Sequence, residues 1–144
     1  YRLGTQGKAK GFFKKVVRSG SHEESIAMVA SGEADASYVD SLVLDYERNT
    51  GLPDAAKVRV IDSVGPAGIV PAVISLRVPA AQRLKLKEVL VHMHEDPEGK
   101  AILASMFLKR FDQVQDSNYD GIRKMKEAAV KGKFTRIEGG GAVP

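Results

Sequence analysis

Ser19-Gly20-Ser21-His22-Glu23-Glu24-Ser25, followed by Val39-Asp40-Ser41, places two polar helix starts within one short span of the chain. A Gly-Ser turn that opens an amphipathic segment leaves backbone N–H groups unpaired and aims the positive end of a helix dipole forward. Ser21 is placed to act as N-cap or hydroxyl donor, and His22 adds a second side-chain donor beside it. The combination suits an oxyanion such as phosphate, phosphonate or a carboxylate. The plainer reading has Ser21 capping a helix and His22 as an exposed first-turn residue, and the motif alone leaves both open.

Working outward, residues 5–16 read as a helix carrying Phe12, Phe13 and Val16, with Val16-Val17 as a short strand. A helix over 22–31 buries Ile26, Val29 and Ala30 on one face, and Gly32 falls where a left-handed C-terminal residue is wanted. Ala34 to Val39 reads as a buried strand, and Asp40-Ser41 caps a helix over 41–49. Polar side chains at the carboxyl end of a strand face a ligand crevice in open α/β sheets. Lys57–Ser63 and Val70–Val78 read as two further strands, joined by Gly65-Pro66-Ala67-Gly68. Ala80–Glu95 reads as an amphipathic helix with Leu84, Leu86, Val89, Leu90 and Met93. Asp96 and Pro97 start a helix over 97–107 as N-cap and N1. An extended piece near 111–114 precedes a last helix, 118–130, and a Gly-rich tail closes the chain. Alternating strands and helices predict α/β layers with mostly parallel strands.

Composition bounds the rest. The 144 residues, 43% hydrophobic and 28% charged, suffice for an ordinary globular domain with an aliphatic core, since Trp is absent. Without cysteine there is no disulfide, thiolate metal site or cysteine nucleophile, and the compartment stays open. No stretch approaches the ~20 apolar residues that span a bilayer, and Tyr1-Arg2-Leu3-Gly4 is not a signal peptide. The net charge of +4 gathers at Lys8, Lys10, Lys14, Lys15 and Arg18. No aromatic interleaving or recognition helix accompanies this cluster, so it reads as a solvated helix face, not a nucleic-acid surface.

Catalytic chemistry is not legible. His92 and His94 stand two apart on a helix and point to different sides, a poor arrangement for sharing a metal. There is no Gly-x-Ser-x-Gly elbow and no P-loop, and Asp35 and Asp40 fall on opposite sides of a strand. The chain reads as a binding protein, not an enzyme, with no cofactor.

Gly20-Ser21-His22-Glu23-Glu24-Ser25 and Val29 to Ser41 resemble the phosphate/phosphite/phosphonate-binding family of ABC-transporter substrate-binding proteins. So do Asp62-Ser63-Val64-Gly65-Pro66, Val70-Pro71-Ala72-Val73, Met93 to Lys100 and Asn118-Tyr119-Asp120-Gly121-Ile122-Arg123, in consistent order over roughly residues 11 to 128. The resemblance is to the family's C-terminal half. The N-terminal half, which supplies aromatic and Ser/Thr ligand contacts, has no counterpart in this sequence.

The resemblance implies a type 2-like periplasmic binding protein: parts of two α/β lobes, each a three-layer αβα arrangement, joined by a hinge. Residues 1–64 would belong to the second lobe, 65–130 to the return into the first, and 131–144 to a flexible tail. It implies a small oxyanion ligand held by His22 and Asp40, with Ser21 beside them. Ser41 and Tyr38 are further candidates, Tyr38 serving equally as a core residue. As a carboxylate, Asp40 would accept from a protonated P–OH or a ligand amine. The implied partner is an ABC-transporter permease. The implied location is periplasmic or extracytoplasmic, with a leader removed and a lipid anchor on the full-length protein. A ligand-sensing domain of a signalling receptor is the alternative, and an interaction module built on the basic helix a third. A half protein is expected to dimerise or exchange strands.

Overall fold

The computed structural model describes residues 2–8, 10–134 and 138–139. Its contacts divide the chain into two compact units, one running to Pro66 and resuming at Gly121, the other spanning Ala67–Asp120.

In the first unit, α1 (Arg2–Thr5) is a single turn and β1 (Lys10–Phe13) pairs in parallel with β2 (Glu138–Gly139). This corrects the helix expected over 5–16. Gly7 and Gly11 take φ of +72° and +66°, a region that stops a helix, and the aromatic pair Phe12-Phe13 suits a strand. Val16 and Val17 form no strand and are exposed. The basic cluster therefore lies on β1 and its flanks, with the Lys8 ammonium 4.9 Å from the Phe12 ring centroid.

Three helices build the rest of this unit. The helix α2 (His22–Ser31) packs on α3 (Ser41–Asn49) and α4 (Pro53–Lys57), and α3 also packs on α4. The sequence-level bounds of α2 and α3 match the structure because their ends are written locally. Gly32 adopts φ +81° and its N–H donates to the Val29 carbonyl, the left-handed cap that a Cβ would strain. Among the described residues, the unit's buried apolar side chains are Ile26 on α2 and Ala55 on α4. Between α2 and α3, residues 34–40 carry no regular structure and join no ladder, so the buried strand expected over 34–39 is not formed. Tyr38 is 77% exposed, which removes its reading as a core residue. Arg2 ties the segment after α4 to α1, its guanidinium reaching Asp62 Oδ1 at 2.9 Å and the Ser63 carbonyl at 3.3 Å.

The strands expected at 57–63 and 70–78 are likewise absent among the described residues. Lys57 ends α4, and 58–75 carry no regular structure. Val73 and Leu76 are 87% and 86% exposed. Strand propensity is realised only against a neighbouring strand, and none lies beside this segment among the described residues.

The second unit holds α5 (Ala80–His92), a 3₁₀ turn at Met93–Glu95, and α6 (Pro97–Ser105). Asp96 caps α6 through Oδ2, which accepts from the Gly99 N–H at 2.8 Å, with Pro97 in the first turn. Leu103 is the buried anchor of α6. By contrast α5 buries none of its residues, and Leu84, Leu86 and Val89 are exposed, against the apolar face expected for it. Helix α6 stops at Ser105, because Phe107 turns to φ +56°. Residues 111–114 form no strand. His92 contacts Glu95 Oε1 through Nδ1 at 3.1 Å, while His94 contacts the Val91 carbonyl through Nδ1 at 2.9 Å and lies 3.9 Å from the same Glu95 oxygen through Nε2.

A 3₁₀ turn, Asp116–Tyr119, leads into α7 (Asp120–Lys131) where a single helix over 118–130 was expected. Of the segment expected as a tail, Lys131 closes α7 and 138–139 form β2, while 135–137 and 140–144 lie outside the described residues.

Candidate functional site

The N-terminus of α2 is built on a glycine. Gly20 takes φ +105°, accessible without strain only to a residue lacking Cβ, and this turns the chain so that Ser21 enters extended as the N-cap. The Ser21 hydroxyl oxygen accepts from the Glu24 N–H at 3.1 Å. Behind the turn, the Ser19 and Ser25 hydroxyls lie 2.7 Å apart, and each is 3.0 Å from the Ser21 carbonyl. With one proton apiece they make two of these three links at any moment, and either choice holds the Ser21 peptide in place. The Ser37 hydroxyl donates to the Ser25 carbonyl at 3.3 Å, tying the segment before α3 to α2.

That tie brings the second helix N-terminus alongside. Asp40 is the N-cap of α3, with Oδ1 accepting from the Leu42 N–H at 2.9 Å. Its own backbone N–H donates to His22 Nδ1 at 3.3 Å. A ring nitrogen that accepts carries no proton, so neutral His22 is the Nε2–H tautomer with Nε2 as a free donor. Ser41, first residue of α3, keeps both its N–H and its hydroxyl without a protein partner among the described residues. The structure thus joins His22 to Asp40 and sets Ser21 and Ser41 on either side of them. Tyr38 makes no hydrogen bond there.

The two helix ends differ electrostatically. Glu23 and Glu24 occupy the first turn of α2, and the first turn of α3 has no acid. The Glu23 carboxyl is held below the usual carboxylate range, first by its own backbone N–H and then by the Ser21 hydroxyl, with a smaller contribution from His22. A depressed carboxylate stabilises the folded state above its unfolded value and loses that contribution as pH falls through the folded one. Of the donors at the start of α2, the Glu23 N–H and the Ser21 hydroxyl serve the Glu23 carboxylate, and the Glu24 N–H is taken by the Ser21 oxygen. The free donors for an anion are His22 Nε2–H and the N–H and hydroxyl of Ser41, beside the positive end of α3.

Residue patterns alone missed the Ser19–Ser25–Ser37 support, since hydroxyl spacing carries no signal until the turn at Gly20 folds them together. They also missed that Asp40 reaches His22 through its backbone.

The sequence model of one protein family, described as ABC transporter, phosphonate, periplasmic substrate-binding protein, matches residues 2–119. The chain belongs to that family. Both helix N-termini and all five candidate residues fall inside the match. Membership carries the type 2 periplasmic-binding-protein fold and a periplasmic location. It also carries the family's role, binding a small ligand and meeting a membrane permease, in proteins that generally transform nothing.

Proposed function

We propose that this protein is the solute-binding component of an ABC importer and holds a phosphorus oxyanion, phosphonate, phosphite or phosphate, without chemistry. The observation that carries the reading is the Asp40 N–H···Nδ1 His22 bond, which couples two helix N-termini and leaves Nε2–H facing outward as a donor. In this reading His22 and the start of α3, with Ser41, receive the phosphoryl oxygens. Ser21 positions the turn, and the exposed Tyr38 is a further hydroxyl donor within the same segment. On the family pattern residues 1–64 belong to the second lobe and 65–130 to the return into the first, the full-length protein is lipid-anchored, and the permease receives the loaded form.

Asp40 sets the preference. Its carboxylate caps α3 through one oxygen, and the other repels a fully ionised phosphoryl group unless the ligand brings a proton or an ammonium to it. Asp40→Asn keeps a competent cap, because Asn and Asp cap helices about equally well. The variant is expected to lose affinity for 2-aminoethylphosphonate and for monoanions, and to lose less, or gain, for dianions. Titration of both proteins with methylphosphonate, 2-aminoethylphosphonate, phosphite, phosphate and sulfate across pH checks this. An identical ligand order in both would reduce Asp40 to a cap.

Self-association is expected from the apolar residues that 60–76 leave exposed, Ile61, Val70, Val73 and Leu76 among them. Sedimentation equilibrium should show a dimer. A monomer at every concentration would contradict it.

A further inference from the structure

On the flank of α2 lies an open hollow of about 290 Å³ whose polar lining, apart from Ser21, is acidic: Glu23 and Glu24 from α2, Glu47 from α3 and Asp54 from α4, with Ala27, Leu52 and Pro53 as its apolar wall. Glu47 sets this place apart from an ordinary acidic surface. It is 5% exposed, and its carboxylate has no hydrogen bond or ion pair among the described residues. No wholly enclosed side-chain oxygen in the described residues is unpartnered, so the Glu47 carboxylate keeps its remaining exposure, and it opens into the hollow.

A carboxylate this buried is costly unless a counter-charge meets it. The neighbouring bases are engaged elsewhere. Lys57 holds Asp54 at 2.8 Å, and the Arg48 guanidinium donates to the Val58 carbonyl at 3.1 Å. Glu23 is satisfied by its own N–H and Ser21, and these relieve nothing at Glu47. The hollow is left with an excess of negative charge around one almost enclosed carboxylate that has no counter-charge among the described residues.

We propose that the hollow binds an organic monocation, a guanidinium or alkylammonium group, with Glu47 as its buried partner and Glu24 at the rim. Among the described residues no three acidic or histidine side chains converge on one point as a metal ion requires. A flat or alkylated cation fits better, because Leu52 and Pro53 offer it apolar contact while Glu47 accepts its N–H groups. The cation is supplied by a free small molecule or by an arginine or lysine side chain of another protein.

Titrating the purified protein with methylguanidinium at fixed ionic strength, followed through backbone amide shifts, tests the site. Saturable shifts at Glu47, Leu52 and Asp54 are expected. Glu47→Gln, nearly isosteric, should weaken binding about tenfold or more, the measure of one charge-assisted hydrogen bond. Glu24→Gln should weaken it by a smaller factor, and serves if the first variant fails to fold. N-acetylarginine amide binding tighter than methylguanidinium would identify a polypeptide source, and weaker or equal binding a free cation. Shifts that never saturate, that sodium reproduces at the same ionic strength, or that survive in both variants would overturn the proposal.

Discussion

His22→Ala is expected to weaken methylphosphonate binding by about 1.5–3 kcal/mol, the worth of a hydrogen bond to a charged group, or one to two orders of magnitude in affinity. Two losses combine: the Nε2–H donor to the ligand and the Nδ1 acceptor that holds the Asp40 amide. Conservative variants separate them. An asparagine carbonyl at position 22 approximates the Nδ1 acceptor and lacks the far donor, whereas a glutamine amide reaches toward the Nε2 position. If the donor dominates, His22→Gln should recover more affinity than His22→Asn. If the tie to α3 dominates, the order reverses. Calorimetric titration of the three variants reads both quantities, and unchanged affinity in His22→Ala would return the residue to a first-turn surface role.

Ile26→Ala is expected to cost about 2–5 kcal/mol of stability, the usual range for emptying a buried branched aliphatic site. Ile26 is 2% exposed and, with Ala55, is the buried apolar residue of the unit that carries the site. It stands one helical turn beyond His22, on the same side of α2. Its loss should therefore loosen the His22–Asp40 contact as well as the packing of α2 on α4. Urea unfolding gives the stability change, and phosphonate titration below the transition gives the coupled loss in binding. A cost under about 1 kcal/mol would mean that the Ser19–Ser25–Ser37 hydroxyls, not apolar packing, hold α2 in place.

What could be read from the residues divides along a physical line. Helices α2, α3 and α6 are specified by neighbours in sequence: Ser21, Asp40 and Asp96 accept from amides two or three residues on, and Gly32 closes its own helix. Such signals survive without knowledge of the rest of the fold. Strands depend on partners far away in sequence. Val70 to Val78 has the composition of a strand, but composition does not supply the neighbour that would pair it. The helix expected over 5–16 failed for a local reason, the two positive-φ glycines that bracket Lys8–Lys10. Within the site, Ser21 and Asp40 as caps were legible. The His22–Asp40 contact was not, because it depends on the path of residues 33–39, which no periodicity describes. The family resemblance paired those two residues without showing that a backbone amide joins them.

In the proposed binding mode His22 presents a protonated Nε2 to the ligand while Nδ1 is held by the Asp40 amide. Long-range ¹⁵N–¹H correlation NMR of the His22 ring, recorded during a methylphosphonate titration, tests it most directly. Nδ1 is expected to be unprotonated, and the Nε2 resonance to shift saturably as ligand is added. A Nδ1–H tautomer, or ring resonances that stay fixed at saturating methylphosphonate, would contradict it.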